Sequence, residues 1–262
     1  MNNLKLQELL DTAEADALID FFTPEDSSVI ENCRISYSLF GKALAVRCDI
    51  YPGFVLNKVT CVGYDKRIDQ NLIDEISSFF SGRKGLYALQ ISNDVADDRT
   101  VSLLIDNGYS HKSNWNRFYR NAEPLECRNS KLIVKEIGKE FAEVFSDIIL
   151  NTFGLPAELN VLMYSYFGKK NWKHFIAFEN EIPAAGASLF LNGETAWIGM
   201  AATLTEHRNK GAQGALLSAR IDAARNAGCK FIAVETAEDN ASFRNMLRYG
   251  FILLNKKQNF VK

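Results

Sequence analysis

Apolar residues recur at two spacings along this chain, and the changes of spacing mark its elements. The first 22 residues, MNNLKLQELLDTAEADALIDFF, repeat at three and four and predict an acidic amphipathic helix. Residues 36–49 alternate on either side of Gly41 and predict two strands around a turn. Residues 54–63 (FVLNKVTCVG) predict a strand, and residues 69–80 a helix with Leu72, Ile73, Ile76, Phe79 and Phe80 on one face. A strand over 86–92, a short helix over 99–107 stopped by Gly108, and an aromatic strand over 109–120 complete the first half. Residues 121–130, polar and carrying Pro124, predict a linker.

The second half opens with a strand over 132–136. A helix follows over 140–151, turning Phe141, Val144, Phe145, Ile148 and Ile149 inward; Leu155-Pro156 breaks it, and 158–167 predicts another helix. Strands over 172–178 and 182–191 meet at Glu179-Asn180-Glu181, and Asn192-Gly193 predicts the next hairpin turn. A buried strand over 231–236, a short helix over 240–249 and one or two strands over 250–261 end the chain.

Between these lies the stretch that organises the rest, residues 196–229 (AWIGMAATLTEHRNKGAQGALLSARIDAARNAGC). It starts as a strand, breaks at the polar run Glu206-His207-Arg208-Asn209-Lys210, and resumes at Gly211 as an Ala-rich helix. Ala212, Ala215, Leu216, Ala219, Ala223 and Ala227 give that helix a small apolar face, and Gly228 stops it. A helix start leaves N–H groups unpaired, and its dipole favours negative charge. Arg208 and Lys210 add cationic charge, and Gly211 allows close backbone approach. The pattern therefore admits a phosphate site or an ordinary strand-to-helix turn with a basic surface.

An internal repeat is also legible. Gly108-Tyr109 follows a short helix as Gly250-Phe251 does, and Phe118 and Phe260 each lie ten residues after those glycines. The strand at 54–63 then corresponds to 196–203, but Tyr64-Asp65-Lys66-Arg67 follows it, with no glycine.

Composition narrows the class. The 262 residues are 47% hydrophobic and 24% charged, ordinary for a soluble globular protein. No apolar run approaches the ~20 residues of a membrane helix, and the N-terminal stretch lacks the form of a signal peptide. Net charge is −2, divided as −6 over residues 1–126 and +4 over the remainder. That gives no indication of non-specific nucleic-acid binding and puts the positive field in the second half. Five scattered cysteines (Cys33, Cys48, Cys61, Cys127, Cys229) without a C-x-x-C pair predict reduced thiols in a cytoplasmic protein. The histidines, His111, His174 and His207, lack ligand spacing, so no metal is expected.

Arg208-x-x-Gly211-x-Gln213-Gly214-Ala215-Leu216-Leu217 resembles the pyrophosphate-binding loop of the GNAT N-acetyltransferase superfamily, with Gln213 where the common form has Gly or Ala. The resemblance covers residues 131–262 well and 20–120 loosely. It implies an α/β (α+β) fold with a mixed, mainly antiparallel central sheet flanked by helices, in two tandem copies. Residues 1–125 would be a degenerate copy that binds no coenzyme, and 126–262 the catalytic one.

The resemblance also implies acetyl-CoA as co-substrate and no metal. Backbone groups of Met200, Ala201, Ala202 and Thr203 would pair with the pantetheine arm, as an added strand does. Arg208, Asn209, Lys210, Gly211, Ala212, Gln213 and Gly214 would hold the pyrophosphate. Asn240, Ser242 and Asn245 in the Asn…Gly-Phe segment would reach the pantetheine or phosphates, with a plain helix cap the alternative for Asn240. Many members carry a tyrosine as general acid four residues before the final Gly; here Met246 stands there, and Tyr249, one turn on, is expected to face elsewhere. Glu235 is the first candidate base and Glu206 the second, each with a solvated or capping carboxylate as the plain alternative. Tyr164, Tyr166, Phe167 and Trp172 line an acceptor pocket or the core. Cys229 reads as a buried thiol rather than an acyl carrier.

The expected activity is acetyl transfer from acetyl-CoA to the amine of a small molecule or amino acid, by direct attack in a ternary complex. The alternative is a non-catalytic acyl-CoA-binding sensor or regulatory module, and a nucleotide-binding enzyme is a third class. A monomer or homodimer is expected, with neither nucleic acid nor membrane as partner.

Overall fold

The computed structural model describes residues 3–125 and 132–262; positions 126–130 of the expected linker, Cys127 among them, lie outside the described residues. The first half runs α1 (Asn3–Phe21), α2 (Ser27–Cys33), β1 (Ile35–Phe40), β2 (Ala43–Cys48), β3 (Lys58–Thr60), α3 (Gln70–Phe79), β4 (Ala88–Ser92), α4 (Asp98–Asp106) and β5 (Ser110–Asn121). The second runs β6 (Ile133–Ile137), α5 (Ala142–Phe153), α6 (Asn160–Ser165), β7 (Trp172–Glu179), β8 (Ile182–Asn192), β9 (Thr195–Thr203), α7 (Ala212–Asn226), β10 (Phe231–Ala237), α8 (Ala241–Arg248) and β11 (Ile252–Val261).

Three elements differ from the sequence reading. Helix α2 was not expected: of its seven residues only Val29 and Cys33 are buried, too few to set a period, and the Asp26 side chain caps it. The strand expected over 54–63 shrinks to three residues. Asn57 is the cause: its side chain accepts from Cys48 N and donates to the Tyr51 and Gly53 carbonyls, fixing residues 51–57 as turns. Thirdly, α7 buries Leu216, Leu217, Arg220, Ile221 and Ala224 alongside Ala212 and Ala215. The alanine face expected through Ala219, Ala223 and Ala227 is displaced, because Leu217 and Ile221 gain more from burial than alanine does.

All eleven strands form one mixed sheet in the order β1-β2-β3-β4-β11-β5-β10-β9-β8-β7-β6. Among the described residues only β3/β4 and β9/β10 pair in parallel. The middle of the order is the unexpected part, because the two halves have exchanged their last strands. β11 lies against β4 of the first half, β5 lies against β10 of the second, and the two exchanged strands pair with each other. Their register is self-consistent at an offset of 142 residues: Ile252 meets Tyr119 and Ser110 meets Val261. Phe118 accordingly packs in the core of the second half, and Phe260 in that of the first.

Helices cover both faces. α1, α2, α5 and α6 share one apolar cluster that joins the halves, through Phe21, Phe22, Phe145, Leu162 and Tyr166. The opposite face carries α7 and α8 over the second half and α3 and α4 over the first. Helix α1 also turns polar residues inward. Asp11 and Glu14 meet Lys58 of β3, Arg117 of β5 and Lys257 of β11, and the last two also meet Glu235 of β10, all with buried side chains. Burial would raise the Glu14 pKa, but Lys257, Lys58 and Arg117 hold it well below its usual value. Three acids and three bases neutralise one another where the halves join. Among the described residues no helix is long and apolar enough to cross a membrane.

Candidate functional site: a splayed strand pair and an uncapped helix

Strands β9 and β10 run side by side only briefly. They pair from Phe231↔Thr195 to Ala233↔Trp197, then part, while β9 continues to Thr203 and β10 to Ala237. Where the gap opens, β9 carries a bulge. Its register on β8 passes from Ala187↔Ala201 to Leu189↔Ile198, so Gly199 and Met200 together face Ser188. The extra residue breaks the alternation of side chains: Ile198 and Ala201 turn to the α7 face, Met200 and Ala202 to the α5 face. Glycine suits position 199, since a Cβ would stand 2.4 Å from Ser188 Oγ and displace that hydroxyl.

Past Thr203 a single 3-10 turn, Thr205–His207, leads into the loop. Asn209 and Gly211 adopt positive φ, 64° and 88°. For Asn209 this is a tolerated left-handed residue, and for Gly211 an unstrained one. Gly211 then starts α7 with no side chain capping it. The N–H groups of Ala212, Gln213 and Gly214 thus lead the helix without a side-chain acceptor. Gln213, the departure from the common motif, ties the helix to the strand: its Nε2 donates to Thr203 Oγ1 at 2.9 Å. Arg208 Nε reaches the Thr203 carbonyl at 3.4 Å.

The basic charge is partly spent within the loop. Lys210 Nζ lies 2.8 Å from Glu179 Oε2 and His207 Nδ1 2.5 Å from it. Hydrogen bonds from Lys210 and His207 hold the Glu179 carboxyl below its usual pKa. Of the expected cationic pair, Arg208 is therefore the side chain without a carboxylate partner among the described residues, and it is exposed.

Helix α8 supplies the other wall. Asn240 caps it, accepting from Phe243 N at 2.8 Å, so the plain alternative holds for its side-chain oxygen. Ser242 is exposed and Asn245 half-buried. Met246 is buried in the apolar cluster with α7. Tyr249, expected to face elsewhere, instead crosses to α7: a Cβ on Gly214 would lie 2.1 Å from its hydroxyl oxygen. That hydroxyl makes no hydrogen bond among the described residues. A Cβ leans toward the helix N-terminus, so the hydroxyl flanks the uncapped first turn. Sequence spacing cannot reveal this contact, because it joins two helices through space.

The expectation for Glu235 is corrected. Its carboxylate does not stand in an open cleft; its side chain is 3% exposed, with Oε1 2.9 Å from Arg117 Nη2 and 2.8 Å from Lys257 Nζ. The strand position was legible, but the two cations come from the exchanged strands. Glu206 is exposed in the 3-10 turn. Tyr166 and Phe167 are buried in the core, while Tyr164 and Trp172 are half-buried at its edge. Cys229 is buried, its Sγ donating to the Thr195 carbonyl at 3.3 Å.

The first half repeats the outline without the opening for an anion. β3 pairs with β4 in parallel at only two positions. The helix after it, α3, is capped by Asp69, whose carboxylate accepts from Leu72 N at 3.0 Å. A negative side chain fills the place that is empty before α7.

A sheet with a splayed parallel pair, a bulge at the fork and a glycine-started helix beyond it defines the class of fold. The family model described as Acetyltransferase (GNAT) family matches residues 141–251. This segment belongs to the GNAT acetyltransferase family. The fold as a whole is shared with proteins of similar length at low identity. A GCN5-related N-acetyltransferase from Kribbella flavida is 11% identical with a TM-score of 0.64, over 90% of this chain and 93% of that one. A functionally unknown protein from Staphylococcus epidermidis is 12% identical with a TM-score of 0.65, over 89% and 96%. A tandem GNAT protein from the clavulanic acid biosynthesis pathway is 13% identical with a TM-score of 0.59, over 84% and 78%. No curated protein matches the sequence.

Proposed function

We propose that the protein is an acetyl-CoA-dependent N-acetyltransferase, with the coenzyme held by residues 126–262 and a degenerate copy, 1–125, completing the sheet. One observation carries this reading: the bulge at Gly199–Met200 and the uncapped start of α7 lie at the two ends of the same diverging strand. The coenzyme diphosphate accepts from the N–H groups of Gly211–Gly214, with Arg208 and the Tyr249 hydroxyl beside it. The pantetheine arm lies along Met200–Thr203 in the gap between β9 and β10. The thioester carbonyl then points at a main-chain N–H of the bulge, at Met200 or Ala201.

The acceptor is the amine of a small molecule or amino acid. Its nitrogen attacks the carbonyl carbon, the C–S bond breaks, and the electron pair leaves with sulfur. With Glu235 locked in its ion pairs, the amine has already lost a proton to solvent before it attacks. As the C–S bond breaks the attached nitrogen gives up its extra proton to water, and, with Met246 offering no acid, the thiolate takes a proton back from water, so that amide and free thiol result. The rate then rises with pH along the titration of the acceptor amine.

The locked Glu235 and the methionine at position 246 favour a second reading, an acyl-CoA-binding sensor. Two measurements decide. Calorimetry with acetyl-CoA against ATP tests the site: tight ATP binding without acetyl-CoA binding overturns both readings. Coenzyme release across an amine screen tests the reaction: binding without release for every amine leaves the sensor.

A further inference from the structure

The setting of Arg220 is unusual. It lies on α7, 2% exposed, and forms no ion pair with any carboxylate among the described residues. Burial alone lowers its pKa; no neighbouring charge contributes. Charged groups are seldom buried without a counter-ion, because removing a guanidinium from water is costly and an apolar side chain would fill the space without that cost. Its nitrogens are bonded to two carbonyls. Nε donates to Leu216 O at 3.1 Å, one turn back on its own helix. Nη1 donates to Ser188 O at 3.4 Å.

Ser188 is the residue that faces the bulge. It alone stands opposite two residues of β9, so the ladder gives it no one-to-one partner there. Its side chain turns to the α5 face, towards Gly199. Arg220 approaches from the α7 face. The guanidinium therefore sits behind the bulge, on the face opposite α5, and holds the main chain directly across from it.

We propose that Arg220 is a positioning residue for acyl transfer: by anchoring the Ser188 carbonyl it fixes the direction of the bulge N–H that polarises the thioester. This rests on the coenzyme reading above. The buried charge has a second effect of the same sign. At 2% exposure bulk solvent screens it weakly, and negative charge that develops on the thioester oxygen is stabilised through the sheet.

The test uses the full-length protein, Arg220→Met and Arg220→Lys, and acetyl-CoA labelled with carbon-13 at the carbonyl. Difference infrared spectra report how strongly the bound carbonyl is polarised, with no acceptor needed. Wild type is expected to move the carbonyl stretch to lower wavenumber than in solution. Arg220→Met should return it towards the solution value while the dissociation constant changes less than about threefold, and Arg220→Lys should lie between. With an accepted amine, kcat per coenzyme-binding site should fall about 10- to 100-fold in Arg220→Met, with little change in KM for acetyl-CoA. A purely structural arginine would lower the fraction of molecules that bind but leave the spectrum of the bound ones unchanged, and that result overturns the proposal. Should Arg220→Met not fold, Arg220→Lys is read by the same criterion. Failure of wild type to bind acetyl-CoA at all overturns the coenzyme reading first, and is distinguishable by its being independent of residue 220.

Discussion

Two glycines carry most of the site's geometry, for different reasons. At Gly199 the constraint is space. Alanine there would collide with Ser188 Oγ at 2.4 Å, whereas Ser188 Cβ lies at an ordinary 3.5 Å. Gly199→Ala should therefore cost about 1–3 kcal/mol, and adding Ser188→Ala should recover most of it. Urea melts of the two singles and the double form the cycle, and full additivity would show that the bulge does not depend on this contact. At Gly211 the constraint is φ and the anion. Gly211→Glu should abolish acetyl-CoA binding in calorimetry while the circular dichroism spectrum stays native. Unchanged affinity would place the diphosphate elsewhere. Both glycines could be located in the sequence, but only Gly211 could be interpreted there. It ends a basic run and opens a helix, whereas the need for Gly199 comes from a serine on another strand.

At the scale of elements, α1 shows what amphipathic pattern leaves out. Its three-and-four spacing identified the helix correctly, yet its inward face carries Gln7, Asp11 and Glu14 beside Leu6 and Leu10. Their cations lie on β3, β5 and β11, up to 246 residues away along the chain. That separation is why Glu235 read as a free base: the period of β10 gives the face it points to, not what the exchanged strands place on it. A buried cluster of this kind is sensitive to losing one member. Arg117→Met leaves three carboxylates against two cations, and should destabilise the protein by about 3–5 kcal/mol. Thermal unfolding would measure it, and a loss below about 1 kcal/mol would mean that water reaches the cluster. The comparison of α3 with α7 was more legible. Asp69 before one helix and Gly211 before the other are both visible in sequence, and the cap bond to Leu72 explains why the first copy should leave coenzyme alone.

For the molecule as a whole, stability should depend on pH in two stages. Burial lowers the His174 pKa to about 3, while in the unfolded chain a histidine titrates near 6.5. The unfolded state therefore takes up a proton that the folded state refuses. His174 leaves stability untouched above about pH 6.5 and removes up to roughly 1.4 kcal/mol per pH unit below it. The Glu14 carboxyl, held well below its ordinary 4.5, acts lower down: its contribution is present above that value and fades as the pH falls further. His174→Phe, which keeps the stack on Phe167, should flatten the profile from about pH 6.5 down to about pH 3. Denaturant midpoints across that range would show it, and an unchanged slope would assign the upper stage to other groups.

The fold class was legible through the resemblance carried by residues 208–217, and the repeat through the matched Gly108 and Gly250, Phe118 and Phe260. The exchange of strands was not, because hydrophobic period says which residues face a core but not whose core it is. Phe118 and Phe260 were visible as a matched pair; that each serves the opposite half is a fact of topology.

The exchange bears on how the protein is made. A polypeptide emerging from the ribosome exposes β4 long before its neighbour, residues 252–261, has been synthesised. Until then an unfinished sheet edge is open to other nascent chains. Closure must wait for contacts that are distant along the chain, which makes folding slow. Expression should therefore be limited by chaperone supply and growth temperature more than by the stability of the finished molecule.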